Sequence, residues 1–447
     1  MGDKLTQVVK RNGAVVPFNA ERITNAIYRA SVAVGNRDRS VAEHLSAEVV
    51  RRLRETGPDE YIPTVEEIQD AVERVLVSNG VFEMAKAYIL YREEHSRRRR
   101  TKVAGSHRDS SNIPYQKIYD ILNWAIDHDL HRVDLLNHRI ERGEFPDIVA
   151  ESEAYYEDDV AAAADLIGER REEVKIVLIS GPSSSGKTTT TTKLGEHLRE
   201  MGLTLVALNV DNYFFDLEMH PKDEFGDYDY ETPQALDLAL INQHLVQLLE
   251  GREVRLPLYD FKTGKRTLEH TPMRLREGDI ILIDSLHGLY HGMTEDIPDA
   301  NKFRLYAETL LQMKGADGHY IRWTDLRLMR RMVRDSIFRA YNPEQTLLHW
   351  HYVRSSELRN IIPYANQADY VVNSAMPYEM SIMRPRLIDH FAEWERKYAS
   401  DPLRQDACTR AARVHGLLKT VLPVEGDGAI PKRSVMREFI GGSSYEY

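Results

Sequence analysis

One eight-residue segment limits the fold of this chain more than any other feature. Residues 181–188, Gly-Pro-Ser-Ser-Ser-Gly-Lys-Thr, match G-x-x-x-x-G-K-[ST] at every fixed position and directly follow the apolar run 174–180. A buried-type strand that enters such a loop and continues into a helical pattern is the context expected of a phosphate-binding loop, or P-loop. We therefore expect an α/β fold in which a P-loop parallel sheet is flanked by helices.

The chemistry of this loop explains its residue types. Glycines let backbone N–H groups wrap a phosphate without Cβ clashes, Lys187 bridges the β- and γ-oxygens, and the Thr188 hydroxyl ligates Mg²⁺. The helix that begins inside the motif also turns its positive dipole end toward the phosphates. We expect ATP and Mg²⁺ as cofactors, with ATP held by Gly181, Ser183, Ser184, Ser185, Gly186, Lys187, Thr188 and Thr189.

Two aspartates are predicted near this loop. The apolar patterns place strands at 174–180, 203–210, 279–284, 303–307 and 370–373, and Asp211 and Asp284 stand at the ends of two of them. Ligands in parallel sheets bind at the carboxyl ends of the strands. Asp211 is the candidate that takes a proton from a substrate hydroxyl, and Asp284 with Thr188 is the candidate metal site. For either aspartate alone, a strand-end cap is an alternative interpretation.

An arginine stripe follows the last part of the sheet pattern. Arg327, Arg330, Arg331 and Arg334 fall at i, i+3, i+4 and i+7, which puts them on one face of a helix. A solvated helix face is the commonest meaning of such a stripe. Beside a phosphate-binding fold, it favours a lid that closes over the transferring group and excludes water.

Composition excludes several classes of function. The chain of 447 residues has a net charge of −11 and a single cysteine, Cys408. This charge argues against general nucleic-acid binding, and one cysteine excludes an internal disulfide. The run 97–100, four arginines, is interpreted as a solvated helix end and linker. No apolar stretch approaches the roughly 18 residues of a membrane span, and residues 1–4 lack a signal-peptide pattern. We expect a cytoplasmic protein that does not bind membranes.

The first part of the chain predicts a small, mostly helical unit. Residues 6–10 and 15–18 read as two short strands around an Asn-Gly turn. Four helical patterns follow, with Asn19, Ser40 and Thr64 as candidate caps and Glu67 at the capping-box position. The patterns place Ile23, Ile27 and Ala30 on one buried face, and Leu45, Val49 and Leu53 on another.

This N-terminal block resembles the ATP-cone, the regulatory nucleotide-binding module of ribonucleotide reductases. The resemblance lies in residues 9–13, 18–23, 63–68 and 85–88. It implies that Lys10, Arg11, Arg22 and Lys86 contact the phosphates of a regulatory ATP or dATP, although Val16 replaces an acidic residue of the reductase version. It also makes a homo-oligomer plausible, since ATP-cones often act through oligomeric state. Without the resemblance, Lys10 and Arg11 would be an exposed hairpin edge.

Residues 172–395 resemble the uridine kinase family of P-loop nucleoside kinases. The matching segments are 181–189, 210–213, 228–237, 257–261, Asp284 and 330–335. The resemblance implies an enzyme that transfers the γ-phosphoryl group of ATP to the 5′-hydroxyl of a uridine- or cytidine-like nucleoside. It makes Lys187, Asp211, Arg330 and Arg334 the catalytic set. It assigns acceptor binding to Asp211, Tyr213, Asp229 and Tyr259, and a phosphate contact to Arg339.

Two departures from that family leave the acceptor open. Gly264 stands where the family has a base-contacting histidine, and Tyr341 replaces a lid arginine. A kinase for a non-nucleoside hydroxyl, or a weakly catalytic nucleotide sensor, are the alternatives. Residues 434–443 resemble the tail of bacterial uridine-kinase-like proteins that carry an extra N-terminal domain. The predicted organisation is an ATP-cone at 1–96, a linker and helical connector at 97–170, the kinase domain at 171–395 and a helical extension at 396–447.

Overall fold

The computed structural model describes residues 5–9, 15–56, 62–90, 92, 113–221, 232–339, 341–401 and 404–446. Several predictions lie outside these residues: Lys10, Arg11, the Asn-Gly turn, the run 97–100 and Asp229. The chain divides into two compact units, the first made of Met1–Asp109 with Asp237–Leu240, and the second of Ser110–Leu236 with Ile241–Tyr447.

The first unit is a two-stranded hairpin followed by helices. Strand β1 (Gln7–Val9) pairs antiparallel with β2 (Val15–Pro17), as predicted. The helices are α1 (Glu21–Ala33), α2 (Arg39–Thr56), α3 (Val65–Ser78) and α4 (82–90). The two predicted apolar faces are confirmed as core, since all six of their members are buried: Ile23, Ile27, Ala30, Leu45, Val49 and Leu53.

The caps of these helices agree with the sequence at two of three places. Thr64 forms the predicted capping box, because its hydroxyl accepts from the Glu67 N–H at 3.2 Å and Glu67 accepts from the Thr64 N–H at 2.7 Å. Asn19 accepts from the Glu21 N–H at 2.9 Å. The prediction for Ser40 is wrong: α2 begins one residue earlier, and the carboxylate of Asp38 accepts the Ser40 N–H at 2.9 Å.

The second unit is built on a five-stranded parallel sheet. Its strands are β3 (Ile176–Ser180), β4 (Thr204–Ala207), β7 (Asp279–Asp284), β8 (Lys302–Glu308) and β9 (Tyr370–Asn373), in the order β4-β7-β3-β8-β9. All five predicted strands are confirmed. The P-loop strand β3 lies at the centre and is buried in every residue, which matches its uninterrupted apolar sequence.

Ten further helices follow among the described residues. They are α5 (Tyr115–Asp127), α6 (Val133–Glu141), α7 (Phe145–Glu169), α8 (Lys187–Glu200), α9 (Leu238–Leu249), α10 (Trp323–Phe338), α11 (Pro343–Asn360), α12 (Glu379–Tyr398), α13 (Gln405–Thr420) and α14 (Arg437–Ile440). Helix α8 contacts β3, β4 and β7, and α7 contacts α8 and β9. Ile148, Val160 and Ile167 of α7 join the same core as β3 and β8. The described part of the predicted connector, from residue 113 to 170, therefore packs as part of this unit.

A second, smaller sheet was not predicted. Strands β5 (Val254–Asp260) and β6 (Lys265–Met273) form an antiparallel hairpin. The hairpin turns at Gly264, whose φ of +67° belongs to the left-handed region. It presents Tyr259 on β5, one of the predicted acceptor-binding residues.

Two features are absent from the described residues. No helix there is long and apolar enough to cross a membrane. Likewise, the described part of the chain contains no group of three or more His, Cys, Asp or Glu side chains placed to hold a metal ion.

Candidate active site

The P-loop, residues 181–188, leaves the carboxyl end of β3 and enters α8 at Lys187. Two of its positions require glycine. A Cβ on Gly181 would lie 2.2 Å from the carbonyl oxygen of Ala307 on β8. Gly186 has φ +79°, and its Cβ would lie 2.6 Å from a methyl group of Val435. The loop therefore passes against backbone on one side and against the C-terminal segment on the other, with no room for larger residues.

The three serines of the P-loop, Ser183, Ser184 and Ser185, differ in their hydrogen bonding. Ser183 is held on three sides: Arg327 donates to its carbonyl at 3.0 Å, Arg331 to its hydroxyl at 3.0 Å, and its N–H donates to Glu357 at 3.2 Å. The hydroxyls of Ser184 and Ser185 are buried without a hydrogen-bond partner. Buried polar groups are normally paired, so two orphaned hydroxyls inside this loop fit a ligand with phosphate oxygens.

A cavity of about 200 Å³ opens in front of the loop. Its wall consists of residues 183–188, Leu286, Glu438 and three arginines, Arg331, Arg334 and Arg339. Lys187 adds a fourth cation, so basic groups outnumber the one carboxylate. The local charge is opposite to that of the whole chain, as an anion site requires. A larger cavity of about 510 Å³ lies in the first unit, beside α1 and α2, and contains none of the phosphate-loop chemistry.

Asp335 forms ion pairs with all three arginines that line this cavity. Its carboxylate lies 3.3 Å from Arg331, 3.0 Å from Arg334 and 3.7 Å from Arg339. Burial lowers the pKa of Arg334 although Asp335 opposes the shift, and the charges of Arg339 and Arg331 lower it further. A single carboxylate thus holds together cations that repel one another. An incoming anion would relieve this repulsion.

The other two arginines of the stripe are structural. Arg330 is fully buried and donates to Glu379 at 2.6 and 3.1 Å, and to the Ser374 carbonyl at 2.7 Å. Arg327 is equally buried and makes a two-bond pair with Glu357 at 2.6 and 3.0 Å. This placement does not support the predicted phosphate contact of Arg330. The buried pairs fix α10 as a wall of the cavity, which is not how a mobile lid would be anchored.

The two predicted aspartates lie close enough to Lys187 for their charges to interact. Asp284 ends β7 opposite Ile179 of β3, and accepts from the Thr191 hydroxyl at 3.3 Å. Desolvation raises the pKa of Asp211, the charge of Asp284 adds to the increase, and Lys187 opposes it. Burial likewise raises the pKa of Asp284 against Lys187 and Thr191. A basic nitrogen and two carboxylates therefore meet at the entrance to α8.

Asp211 reaches this position through a short turn and not directly from the strand. Strand β4 ends at Ala207, and residues Val210–Tyr213 form a single 3-10 turn. The side chain of Asn209 accepts from the Asp211 N–H at 2.9 Å and starts that turn. Its local bond ends the strand three residues before the predicted end. Asp211 is exposed as a residue, but its carboxyl group is desolvated enough to raise its pKa.

Two of the predicted acceptor residues are buried tyrosines, and one of them, Tyr259, belongs to an aromatic cluster. The hydroxyl of Tyr213 is fully buried and lies 2.9 Å from Nδ1 of His244. Tyr259 is also buried and packs against Phe214 and Phe261, with ring centroids 5.5 and 4.9 Å away. Phe261 remains exposed. This cluster offers flat apolar faces, while Asp229, the fourth predicted acceptor residue, lies outside the described residues.

Two residues near the P-loop, His287 and Glu438, were not among the predicted site residues. His287 is buried, and this burial lowers its pKa to about 4, with the charge of Lys187 acting in the same direction. Its ring is therefore neutral near the P-loop. Glu438 was not singled out; its carboxylate accepts from the Thr189 N–H at 3.2 Å and hydroxyl at 2.7 Å. The only sequence signal for Glu438 was the tail resemblance at 434–443.

The predicted regulatory residues cannot be assembled into a site. Arg22 on α1 and Lys86 on α4 are both exposed. Neither lines the cavity beside α1 and α2, and Lys10 and Arg11 lie outside the described residues. Their role in binding a nucleotide stays a prediction.

Comparison with known proteins identifies two domains. Residues 6–97 match the family model of the ATP cone domain, and residues 176–380 match that of the phosphoribulokinase/uridine kinase family. The N-terminal part is 46% identical over 95 residues to a vitamin B12-dependent ribonucleoside-diphosphate reductase of Thermoplasma acidophilum. That match covers 20% of this chain and only 12% of the reductase.

The larger domain is similar to curated kinases. It is 27% identical over 167 residues to a uridine kinase of Deinococcus deserti, covering 37% of this chain and 72% of that protein. A uridine-cytidine kinase 2-B of Danio rerio is 27% identical over 183 residues, which cover 40% of this chain and 62% of the relative. Among solved structures, that of a possible uridine kinase from Bacillus stearothermophilus aligns with a TM-score of 0.32 and 18% identity, over 47% of this chain and 98% of that one. From N- to C-terminus, the chain thus matches the model of the ATP cone domain and then that of the phosphoribulokinase/uridine kinase family.

Proposed function

We propose that this protein transfers the γ-phosphoryl group of ATP to the 5′-hydroxyl of a uridine- or cytidine-like nucleoside, under the control of a nucleotide bound to the ATP cone. One observation carries the proposal. Asp284 accepts a hydrogen bond from Thr191 of α8, and Ser184 and Ser185 of the adjoining loop hold unpartnered buried hydroxyls. The charges of Asp284 and Lys187 both act on the pKa of Asp211. Phosphate donors, a candidate base and a candidate metal ligand therefore share one place.

The P-loop residues would hold the triphosphate. Its backbone N–H groups and Lys187 would bind the phosphate oxygens, while Thr188 and Asp284 would hold Mg²⁺. The metal ion, when bound, supplies positive charge that neutralises the β- and γ-oxygens. Arg331, Arg334 and Arg339 would stabilise the additional charge of the transition state, since they already line the cavity. In this assignment Arg331 takes the role first expected of Arg330.

Asp211 would accept the proton of the acceptor hydroxyl. Its carboxyl group is within electrostatic range of Lys187, and its pKa, raised by desolvation, makes it a stronger base than an ordinary aspartate. The Asn209 bond to its backbone holds the turn that presents it. Removing the charge while keeping the shape of this side chain is therefore the direct test of its role.

The aromatic cluster supports a nucleoside as the acceptor. Phe261 is exposed beside the buried ring of Tyr259, and flat aromatic faces stack on bases. The Asn212 side chain accepts from the Tyr259 N–H at 3.3 Å, which ties the cluster to the turn that carries Asp211. A nucleoside whose nucleobase stacks on these rings would bring its ribose hydroxyl toward Asp211, the candidate general base.

A non-nucleoside acceptor is favoured by one observation at Gly264. A Cβ there would lie 2.7 Å from the Cβ of Leu217, and the backbone φ is +67°. The histidine that the resemblance expects at this position therefore has no space, and a base would lose that hydrogen bond. A site that hydrogen-bonds a polar group of its substrate discriminates strongly against substrates that lack the group. Without the histidine bond to a nucleobase, a hydroxyl of a sugar-phosphate-like compound remains the second candidate for the phosphoryl acceptor.

Control by the ATP cone follows from linkage. A nucleotide bound there changes the activity of the second unit only if it binds one conformation better than another. The 46% identity to the reductase segment supports nucleotide binding by this domain. Linkage alone does not determine whether the bound nucleotide raises or lowers the activity. The effects of ATP and dATP on the rate are therefore to be measured separately.

An acceptor screen tests the proposal. ATP consumption is measured with nucleosides, deoxynucleosides and phosphorylated sugars, each with and without dATP. We expect turnover stimulated by a pyrimidine nucleoside and changed by dATP. Turnover with non-nucleosides alone would assign the second candidate. ATP binding without any acceptor-stimulated turnover would instead identify a nucleotide sensor.

A further inference from the structure

The C-terminal segment is built into the P-loop and does not merely lie near it. Val435 fills the space next to Gly186, where a Cβ would come within 2.6 Å of its methyl group. Phe439 lies under the guanidinium of Arg330, 4.9 Å from the ring centroid. Arg437 ties the segment to itself through the carbonyls of Asp427 and Ile430, both at 2.8 Å. The segment therefore has a fixed position on the loop.

This packing brings one carboxylate to the start of α8. Glu438 is 7% exposed, and its Oε2 accepts from both the N–H and the hydroxyl of Thr189, at 3.2 and 2.7 Å. Thr189 is the third residue of α8, so its N–H is one of the donors that a helix leaves unsatisfied at its first turn. Glu438 satisfies that donor from 249 residues further along the chain.

The same donors are the ones a bound nucleotide needs. In a P-loop, N–H groups at the start of the helix and the hydroxyls beside them bind phosphate oxygens. A carboxylate offers the same chemistry, an anionic oxygen that accepts two hydrogen bonds. Glu438 also lines the cavity with Lys187 and Arg334, where it would face the negative charge of a triphosphate. Thr189 cannot give the same N–H to both.

We propose that Glu438 is a further residue of the phosphate site: it occupies the Thr189 donors in the free protein and exchanges them for a phosphate oxygen when nucleotide binds. This inference rests on the proposed function, because it requires Mg·ATP in the P-loop. The measured affinity for Mg·ATP is then the intrinsic affinity reduced by the fraction of molecules whose Thr189 donors are open.

Replacing Glu438 by glutamine tests this competition. The amide keeps the size of the side chain but weakens the bonds to Thr189 and removes the charge that faces the phosphates. We expect E438Q to bind Mg·ATP roughly tenfold more tightly than the natural protein, as measured by calorimetry, which corresponds to about 1.4 kcal/mol. E425Q is the matched control, since Glu425 is an exposed carboxylate of the same C-terminal region. Its affinity should equal that of the natural protein.

A double-mutant cycle locates the effect at the contact. In a T189A background the hydroxyl bond to Glu438 is gone, so the gain from E438Q should shrink. A gain that stays the same in that background would show a general charge effect and overturn the proposal. Thermal unfolding of each variant without nucleotide confirms that the compared proteins are folded.

Whether E438Q binds Mg·ATP more tightly or more weakly than the natural protein separates the proposed role of Glu438 from its alternatives. Weaker binding by E438Q would overturn it and place Glu438 among the groups that support the metal or the loop. Equal binding would reduce Glu438 to a helix cap. Tighter binding without turnover of any acceptor would sustain the inference while the proposed phosphoryl transfer fails. Absence of Mg·ATP binding in the natural protein and in E438Q alike would refute both.

Discussion

Arg330 and Glu379 form a fully buried ion pair with two hydrogen bonds, at 2.6 and 3.1 Å. Arg330 also donates to the carbonyl of Ser374, whose own hydroxyl donates to the carbonyl of Ser185 in the P-loop. The pair therefore supports the loop from inside. Breaking a buried pair by neutralising one partner leaves an uncompensated charge.

We therefore expect E379Q to lower the free energy of unfolding by about 3–5 kcal/mol. The measurement is chemical denaturation followed by circular dichroism. E393Q is the control, because Glu393 is exposed on the same helix, α12, and its replacement should change stability little. A stable E379Q protein with impaired ATP binding would instead mean that Arg330 serves the ligand.

Arg334 should affect catalysis without supporting the fold. It lines the cavity among like charges that lower its pKa, so R334A removes repulsion in the free protein and a phosphate contact in the transition state. We expect a loss of roughly 10²–10³-fold in kcat, with the midpoint of thermal unfolding unchanged or raised. R359A, at an exposed position of α11, should keep full activity. A large drop in the unfolding midpoint of R334A would contradict this division of roles.

Asp211 should be required for the chemical step. D211N keeps the side-chain volume and removes the basic carboxylate, so we expect kcat to fall at least about 10²-fold. The affinity for Mg·ATP, measured by calorimetry, should stay within a few-fold. E218Q neutralises a nearby exposed carboxylate and should keep the natural rate. An undiminished rate in D211N would remove Asp211 from the role of base.

The buried pair of Arg327 and Glu357 predicts an acid-sensitive fold. Burial opposes ionisation of Glu357, but Arg327 and Arg354 outweigh it and hold the pKa of Glu357 below its ordinary 4.5. A carboxyl group whose pKa is depressed by folding stabilises the protein above the pKa it has in the unfolded chain. That contribution is lost as the pH falls through the lower pKa of the folded state.

We expect the free energy of unfolding to decrease as the pH is lowered below about 4.5, and E357Q to show a shallower decrease over the same range. Denaturant titrations at several pH values measure both slopes. Equal slopes for the two proteins would show that other carboxyl groups cause the acid sensitivity.

The parts of this molecule that were predicted correctly depend on local patterns. Strand β3 was recognisable because a strand buried on both faces is apolar throughout, and the P-loop because its glycines, lysine and threonine follow a fixed spacing within eight residues. The separation of the arginine stripe into buried Arg330 and cavity-lining Arg334 was not predictable, since both follow the same helical spacing. What separates them is Glu379, 49 residues away, and no local pattern encodes that pairing.

The distance along the chain between Thr189 and Glu438 bears on the order in which the molecule is made. Synthesis runs from the N-terminus, so α8 and its donors leave the ribosome 249 residues ahead of the carboxylate that satisfies them. During that interval the Thr189 donors lack the carboxylate that accepts them in the complete chain. With the proposed competition, a nascent chain would meet free nucleotide with its Thr189 donors open, before Glu438 has been synthesised.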